Sequence, residues 1–172
     1  LLGDNIYLDY GLSKNPGNGK PSRFPLQVFA EAMYERYARQ WAILRASALY
    51  ALPGLAFHGV WDDHDFAWNG SYGDNASNAE ADVSDSDAPV SQRKQGISRR
   101  LMRDFFAALN ARAMVYPAFP FKDGDYRLQD DLSQPMYCSP SGQQRITLAA
   151  GVHLYLADGR SFRTSRRAAR TT

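Results

Sequence analysis

The chain holds one cysteine, Cys138, and three histidines in 172 residues. A single thiol excludes an internal disulfide, and so excludes the small disulfide-braced scaffolds, while leaving the compartment unread. No apolar run approaches the roughly 20 residues a bilayer-crossing helix needs, and the first residues form neither a basic n-region nor a cleavage site. Charge of one sign is scarce too. Twenty Lys and Arg against 18 Asp and Glu leave a net charge of +2, too mild for a nucleic-acid binder without a concentrated basic face. What is present is apolar bulk, 44% hydrophobic and 13% aromatic, enough for one sizeable core.

Periodicity places the elements. Leu26, Phe29, Met33, Tyr37, Trp41, Leu44 and Ala48 recur at three- and four-residue steps, predicting one amphipathic helix over 22–52 with Pro25 in its first turn and Pro53-Gly54 at its end. The apolar run 55–61 reads as a buried strand that delivers Asp62-Asp63-His64-Asp65 at its carboxyl end. Residues 69–92, rich in Asn, Ser, Asp and Gly, read as a long surface loop. Ile97, Leu101, Phe105, Ala108 and Leu109 mark a second helix, and the prolines and aromatics of 113–120 an extended segment on the body. Strands are expected at 126–128, 144–148 and 152–156. This order favours a mixed α/β layer architecture in one domain. Leu1-Leu2-Gly3-Asp4 reads as a strand end entering a turn, and residues 164–172 as a basic tail; both ends look cut from something longer.

Two acidic positions carry the chemical interest. Gly3 permits an unusual backbone or a close approach, and Asp4 beside it can bridge cations, with the Tyr7 phenol available to a hard ion such as Fe(III). The bland alternative is a turn-capping Asp4 and a core Tyr7. Asp62, Asp63 and Asp65 crowd three carboxylates into four residues, a repulsion that a cation would relieve; a solvated acidic turn is the alternative. The apolar framing by Trp61, Phe66 and Trp68 favours a walled site over that turn.

Gly3-Asp4-Asn5-Ile6-Tyr7, Tyr34-Glu35-Arg36-Tyr37, Trp61-Asp62-Asp63-His64-Asp65-Phe66 and Leu156-Ala157-Asp158-Gly159-Arg160-Ser161-Phe162-Arg163 resemble, in order, the landmarks of PhoD-like alkaline phosphatases of the calcineurin-like metallophosphoesterase superfamily. The resemblance spans nearly the whole chain, and Trp-Asp-Asp-His is its specific element. It implies the central portion of a layered α/β/β/α metallophosphoesterase sandwich, incomplete at both ends. It further implies phosphate-ester hydrolysis by a two-metal hydroxide mechanism, with Fe(III) and Ca(II) or another divalent cation. Asp4, Tyr7 and Asp63 correspond to metal ligands and His64 to the histidine that contacts phosphate and protonates the leaving group. Asp62 and Asp65 become neighbours that orient His64 or the ligands.

Arg160 stands where the family's Asp-x-Arg could meet a substrate phosphate bidentately, or it pairs with Asp158 as a structural partner. The family's opening Asp-x-His segment, its upstream cysteine ligand and its later histidine motifs do not occur in these 172 residues. A catalytically incomplete member serving as a binding module is therefore the alternative expectation. Family relatives are often exported, which implies an extracytoplasmic site by resemblance. Expected partners reduce to a small phosphate ester. The arginines of the tail are read as a solvated stretch rather than as a nucleic-acid contact, His58 and His153 as core or surface histidines, and Cys138 as a loop bystander.

Overall fold

Two amphipathic stripes find each other and make the core. The computed structural model describes residues 1, 3–8, 21–68, 70–73, 90–126 and 132–163. Among them run α1 (Leu26–Ala46), the single-turn α2 (Asp63–Phe66), α3 (Gln92–Asn110), β1 (Arg145–Ala149) and β2 (Val152–Tyr155). Phe29, Ala30, Met33, Tyr37 and Trp41 of α1 are buried against Ile97, Leu101, Met102, Phe105, Ala108 and Leu109 of α3. The Tyr37 and Phe105 rings meet at 5.1 Å across that seam. Burying such side chains stabilises by roughly 1.5–3 kcal/mol apiece relative to exposure, so this pair of helices dominates the fold.

The single helix expected over 22–52 is three pieces. A 3-10 turn spans Pro21–Arg23, and Pro25 caps α1 from outside with extended backbone (ψ 153°) instead of entering its first turn. At the far end Ser47 turns extended, its hydroxyl bonded to the Leu44 carbonyl at 2.6 Å. That local bond competes with helix continuation. A second 3-10 turn, Ala48–Ala51, follows, and Ala48 is exposed rather than part of the buried stripe.

The buried strand expected at 55–61 is extended, and among the described residues it joins neither β1 nor β2. Asn110, the last residue of α3, takes the place of a partner strand: its side chain accepts from Phe57 N at 2.8 Å and donates to Phe57 O at 2.9 Å. Gly59 makes one bridge with Cys138, 2.9 and 2.8 Å in the two directions. The Leu1 amino group donates to His58 O at 2.8 Å, so the predicted strand end at the N-terminus is an irregular segment lying on this one. Gly59 is required here, because a Cβ would come within 2.1 Å of the Phe106 ring.

The expected strands at 144–148 and 152–156 form as β1 and β2, an antiparallel hairpin with Arg145 opposite Tyr155 and Thr147 opposite His153. A register shift falls between Thr147 and Ala149, and Gly151 supplies the positive φ of 75° at the turn. Both faces of the hairpin are largely exposed. Within 113–120, Met114 and Val115 are exposed while Tyr116 and Phe119 pack on Tyr34, as an extended segment on the body should. The described chain is therefore mixed α/β, with a helical core and a small two-stranded sheet. No helix among the described residues is long and apolar enough to cross a membrane. Most of the expected loop 69–92, residues 127 and 128 of the expected strand 126–128, and the tail 164–172 lie outside the described residues.

Candidate metal centre

Two segments far apart in sequence are pressed together by a glycine. Gly3 has φ 93°, and a Cβ there would lie 2.5 Å from the Asp62 Cβ and 2.9 Å from its amide nitrogen. Asp4 follows in the left-handed region at φ 49°, a conformation Asp tolerates better than most residues but one that needs holding. Asn5 does the holding. Its amide donates to both Asp65 oxygens, at 3.0 and 3.2 Å, and its side-chain nitrogen to Asp65 Oδ2 at 3.2 Å. The Asp4 carboxylate is thereby set over the start of α2.

Helix α2 is a single turn stabilised by a capping box, with Asp62 as N-cap and Asp65 reaching back to the Asp62 amide at 3.3 Å. Asp63 is steadied by Gly70 N at 2.6 Å and by His64 N at 3.1 Å, and its carbonyl accepts from Ser71 Oγ at 2.7 Å. The Tyr7 and His64 rings meet at 4.2 Å with their planes tilted by 40°, and the Tyr7 hydroxyl donates to Asp4 Oδ2 at 3.0 Å. Asp4, Asp63 and His64 each bring one ligand atom to within 4.8 Å of the others. Two carboxylate oxygens and an imidazole nitrogen suit a divalent first-row cation, and the added phenol oxygen of Tyr7 suits a harder one.

The acidic cluster is less homogeneous than its sequence suggests. Asp62 does not wait for a cation: Arg160 Nε donates to its Oδ1 at 2.5 Å, and Nη2 of the same guanidinium bonds that oxygen too. Arg160 Nη2 also stands 3.8 Å from Asp63 Oδ1. Asp65 is fully buried, bonded by Asn5, the Asp62 amide and the Tyr37 hydroxyl at 3.3 Å. Burial pushes its carboxyl up to about 6, against the pull of those donors. The expected mutual repulsion of three carboxylates is thus relieved at two of them by the protein itself, and the electrostatic case for a cation narrows to Asp63 with Asp4. The hydrogen bond to Asp4 lifts the Tyr7 phenol above its ordinary value, so phenolate ligation requires a cation to displace that proton.

Asp158 works apart from the cluster. It accepts from Trp61 Nε1 at 2.8 Å, Met136 N at 2.6 Å, Arg160 N at 3.0 Å, and Ser161 N and Oγ at 2.9 and 2.6 Å. Burial alone would raise this carboxyl, but the hydrogen bonds from Ser161, Trp61 and Met136 outweigh it and hold it below the ordinary value. The alternative in which the Arg160 guanidinium pairs with Asp158 is therefore corrected: Asp158 takes the backbone of Arg160, and the guanidinium goes to Asp62. One guanidinium nitrogen, Arg160 Nη1, is buried with no hydrogen-bond partner among the described residues.

Cys138 is buried beside Gly59, its thiol pushed up to about 12 by desolvation, so it is structural rather than a loop bystander. His58 is half-buried, and His153 is exposed on β2 between Arg145 and Thr147. The sequence placed Tyr37 in the buried stripe of the first helix and Asn5 in the Gly3–Tyr7 segment, but assigned neither of them, nor Gly70, a part in holding the acidic cluster. No family model matches the chain, and no curated protein or solved structure matches it.

Proposed function

We propose that this chain is part of a metal-dependent phosphate-ester hydrolase of the PhoD-like alkaline phosphatase and phosphodiesterase type, built on a layered α/β/β/α sandwich. The observation that carries the reading is the convergence of Asp4 with Asp63 and His64, residues from two distant segments whose ligand atoms lie within 4.8 Å. Asp4, Asp63 and Tyr7 would hold cations, Fe(III) with Ca(II) or another divalent ion. When bound, such ions supply Lewis acidity, offsetting charge on phosphoryl oxygens and lowering the pKa of water.

The chain's own residues do the rest. Arg160, anchored by Asp62 and with one buried nitrogen lacking a partner among the described residues, has a donor to offer a phosphoryl oxygen. His64, held against the Tyr7 ring, can give a proton to the departing oxygen. Asp62 and Asp65 shape the turn on which Asp63 and His64 stand.

The test is hydrolysis of p-nitrophenyl phosphate and bis-p-nitrophenyl phosphate by the chain loaded with ferric and calcium ions, alongside calorimetric cation binding. Asp63→Ala should abolish cation binding and turnover together, and His64→Ala should cost about a hundredfold to ten-thousandfold in rate. Hydrolysis indifferent to chelators would end the reading. A second reading, a catalytically incomplete relative acting as a binding module, is favoured by the pairing of Asp62 with Arg160 and of Asp65 with Asn5. Cation binding lost in Asp63→Ala, without any ester hydrolysis, would support it.

A further inference from the structure

One cation already stands at the cluster, and it belongs to the chain. Arg160 Nε lies 2.5 Å from Asp62 Oδ1, Nη2 bonds the same oxygen, and Nη2 is also 3.8 Å from Asp63 Oδ1. A single nitrogen therefore faces two carboxylates, and one of them is grouped with Asp4 and His64 as a candidate ligand. The Arg160 side chain is 16% exposed and that of Asp63 13%. Charges set so far from solvent are screened much less than a surface pair. The backbone that carries Arg160 is tied on both sides: Arg160 N donates to Asp158 at 3.0 Å, and Gly73 N donates to Arg160 O at 2.9 Å. The guanidinium is thus presented to the acidic turn and not to water.

A guanidinium and a metal ion compete for the charge of one carboxylate. A dication at Asp63 is repelled by the cation beside it, and the attraction it gains from Asp63 is reduced by the share already given to Nη2. Asp62, held through Oδ1 by two nitrogens of Arg160, is absent from the group of converging ligand atoms. We propose that Arg160 is an internal counter-cation of this site and sets how tightly the site holds a divalent ion. It partly neutralises Asp63 and keeps Asp62 out of the ligand set, so the negative charge shown to a metal is smaller than the acidic turn itself carries. This rests on the metal-centre reading above and adds a residue that works against the metal. The consequence has the opposite sign to that of a scaffold residue: removing Arg160's charge improves cation binding.

Calorimetric titration of Mn(II) into the chelator-treated full chain, without substrate, is the test. Arg160→Gln should bind Mn(II) roughly tenfold more tightly than wild type, a scale between those of an exposed and a buried charge pair. Arg160→Lys keeps the charge and should bind as wild type does. Arg163→Gln removes the same charge three residues further on and should change the affinity by less than about twofold. Weaker binding by Arg160→Gln would make Arg160 a scaffold and overturn the proposal; so would unchanged binding, or equal tightening in Arg163→Gln. Should Arg160→Gln fail to fold, Asp62→Asn supplies the complementary measurement. Asparagine still caps α2, Asp63 becomes the carboxylate that the guanidinium faces, and Mn(II) binding should weaken; binding as tight as that of wild type overturns the proposal. Tightening in Arg160→Gln, with no hydrolysis of p-nitrophenyl phosphate by wild type, would keep the counter-cation and sink the phosphoesterase reading. Hydrolysis by wild type with unchanged Mn(II) affinity in Arg160→Gln would do the reverse.

Discussion

Asp65 and Asp158 each tie a loop to the body of the protein with a carboxylate, and they do it in opposite electrostatic states. Asp65 is fully buried and receives four donors at 3.0 to 3.3 Å; its carboxyl is pushed up to about 6. Asp158 is less buried and receives five donors at 2.6 to 3.0 Å; its carboxyl is held below the ordinary value. Desolvation opposes the charged form at both positions, and short, numerous hydrogen bonds win only at Asp158. The corner at Asp65 is held by shape, through the close approach of Gly3, whereas the corner at Asp158 is held by charge.

The largest expected effect follows from removing that charge. Asp158→Ala strands five donors and should cost about 3–4 kcal/mol in urea unfolding. The pH dependence has a definite sign. Because the folded Asp158 carboxyl lies below its ordinary value of 3.8, its contribution is full above that pH and is lost as pH falls through the folded value. Wild type should therefore lose stability more steeply than Asp158→Asn below about pH 4, and parallel curves would show that charge does not hold this corner. Next in size is Gly3→Ala, which combines a Cβ contact of 2.5 Å with positive φ; it should cost about 2–3 kcal/mol by thermal melting. Its cation affinity should fall as well, because Asp4 is carried by the same turn. Smallest is Asp65→Asn at pH 7, about 1 kcal/mol or less, because burial already works against the charge that is removed. A loss there as large as that of Asp158→Asn would show that charge, and not shape, holds both corners.

The parts legible in the sequence are those built from local periodicity. Phe29, Met33, Tyr37 and Trp41 marked the buried face of α1, and Ile97, Leu101, Phe105, Ala108 and Leu109 that of α3, because a helix repeats its face every 3.6 residues whatever it packs on. The hairpin was visible for a similar reason, with Gly151 punctuating it. The run 55–61 misled because apolar content reports extension, not pairing: its backbone partners among the described residues include an asparagine side chain, the bridge to Cys138 and an amino terminus. The break at Ser47 was hidden because the stripe continues from Leu44 across it to Ala48 at helical spacing.

At the site, the sequence by itself determined that Asp4, Tyr7, Asp62, Asp63, His64 and Asp65 would be the residues worth watching, since their chemical types and short-range spacing are local properties. Which of them face one another was decided by tertiary structure alone. Gly3 seats the first turn on Asp62, Arg160 arrives from 98 residues away to occupy Asp62, and Asn5 with Tyr37 occupies Asp65. The remaining carboxylates, Asp4 and Asp63, are left grouped with His64. Partners brought in from distant segments decide which acidic groups are neutralised internally, and no pattern within four residues can encode that.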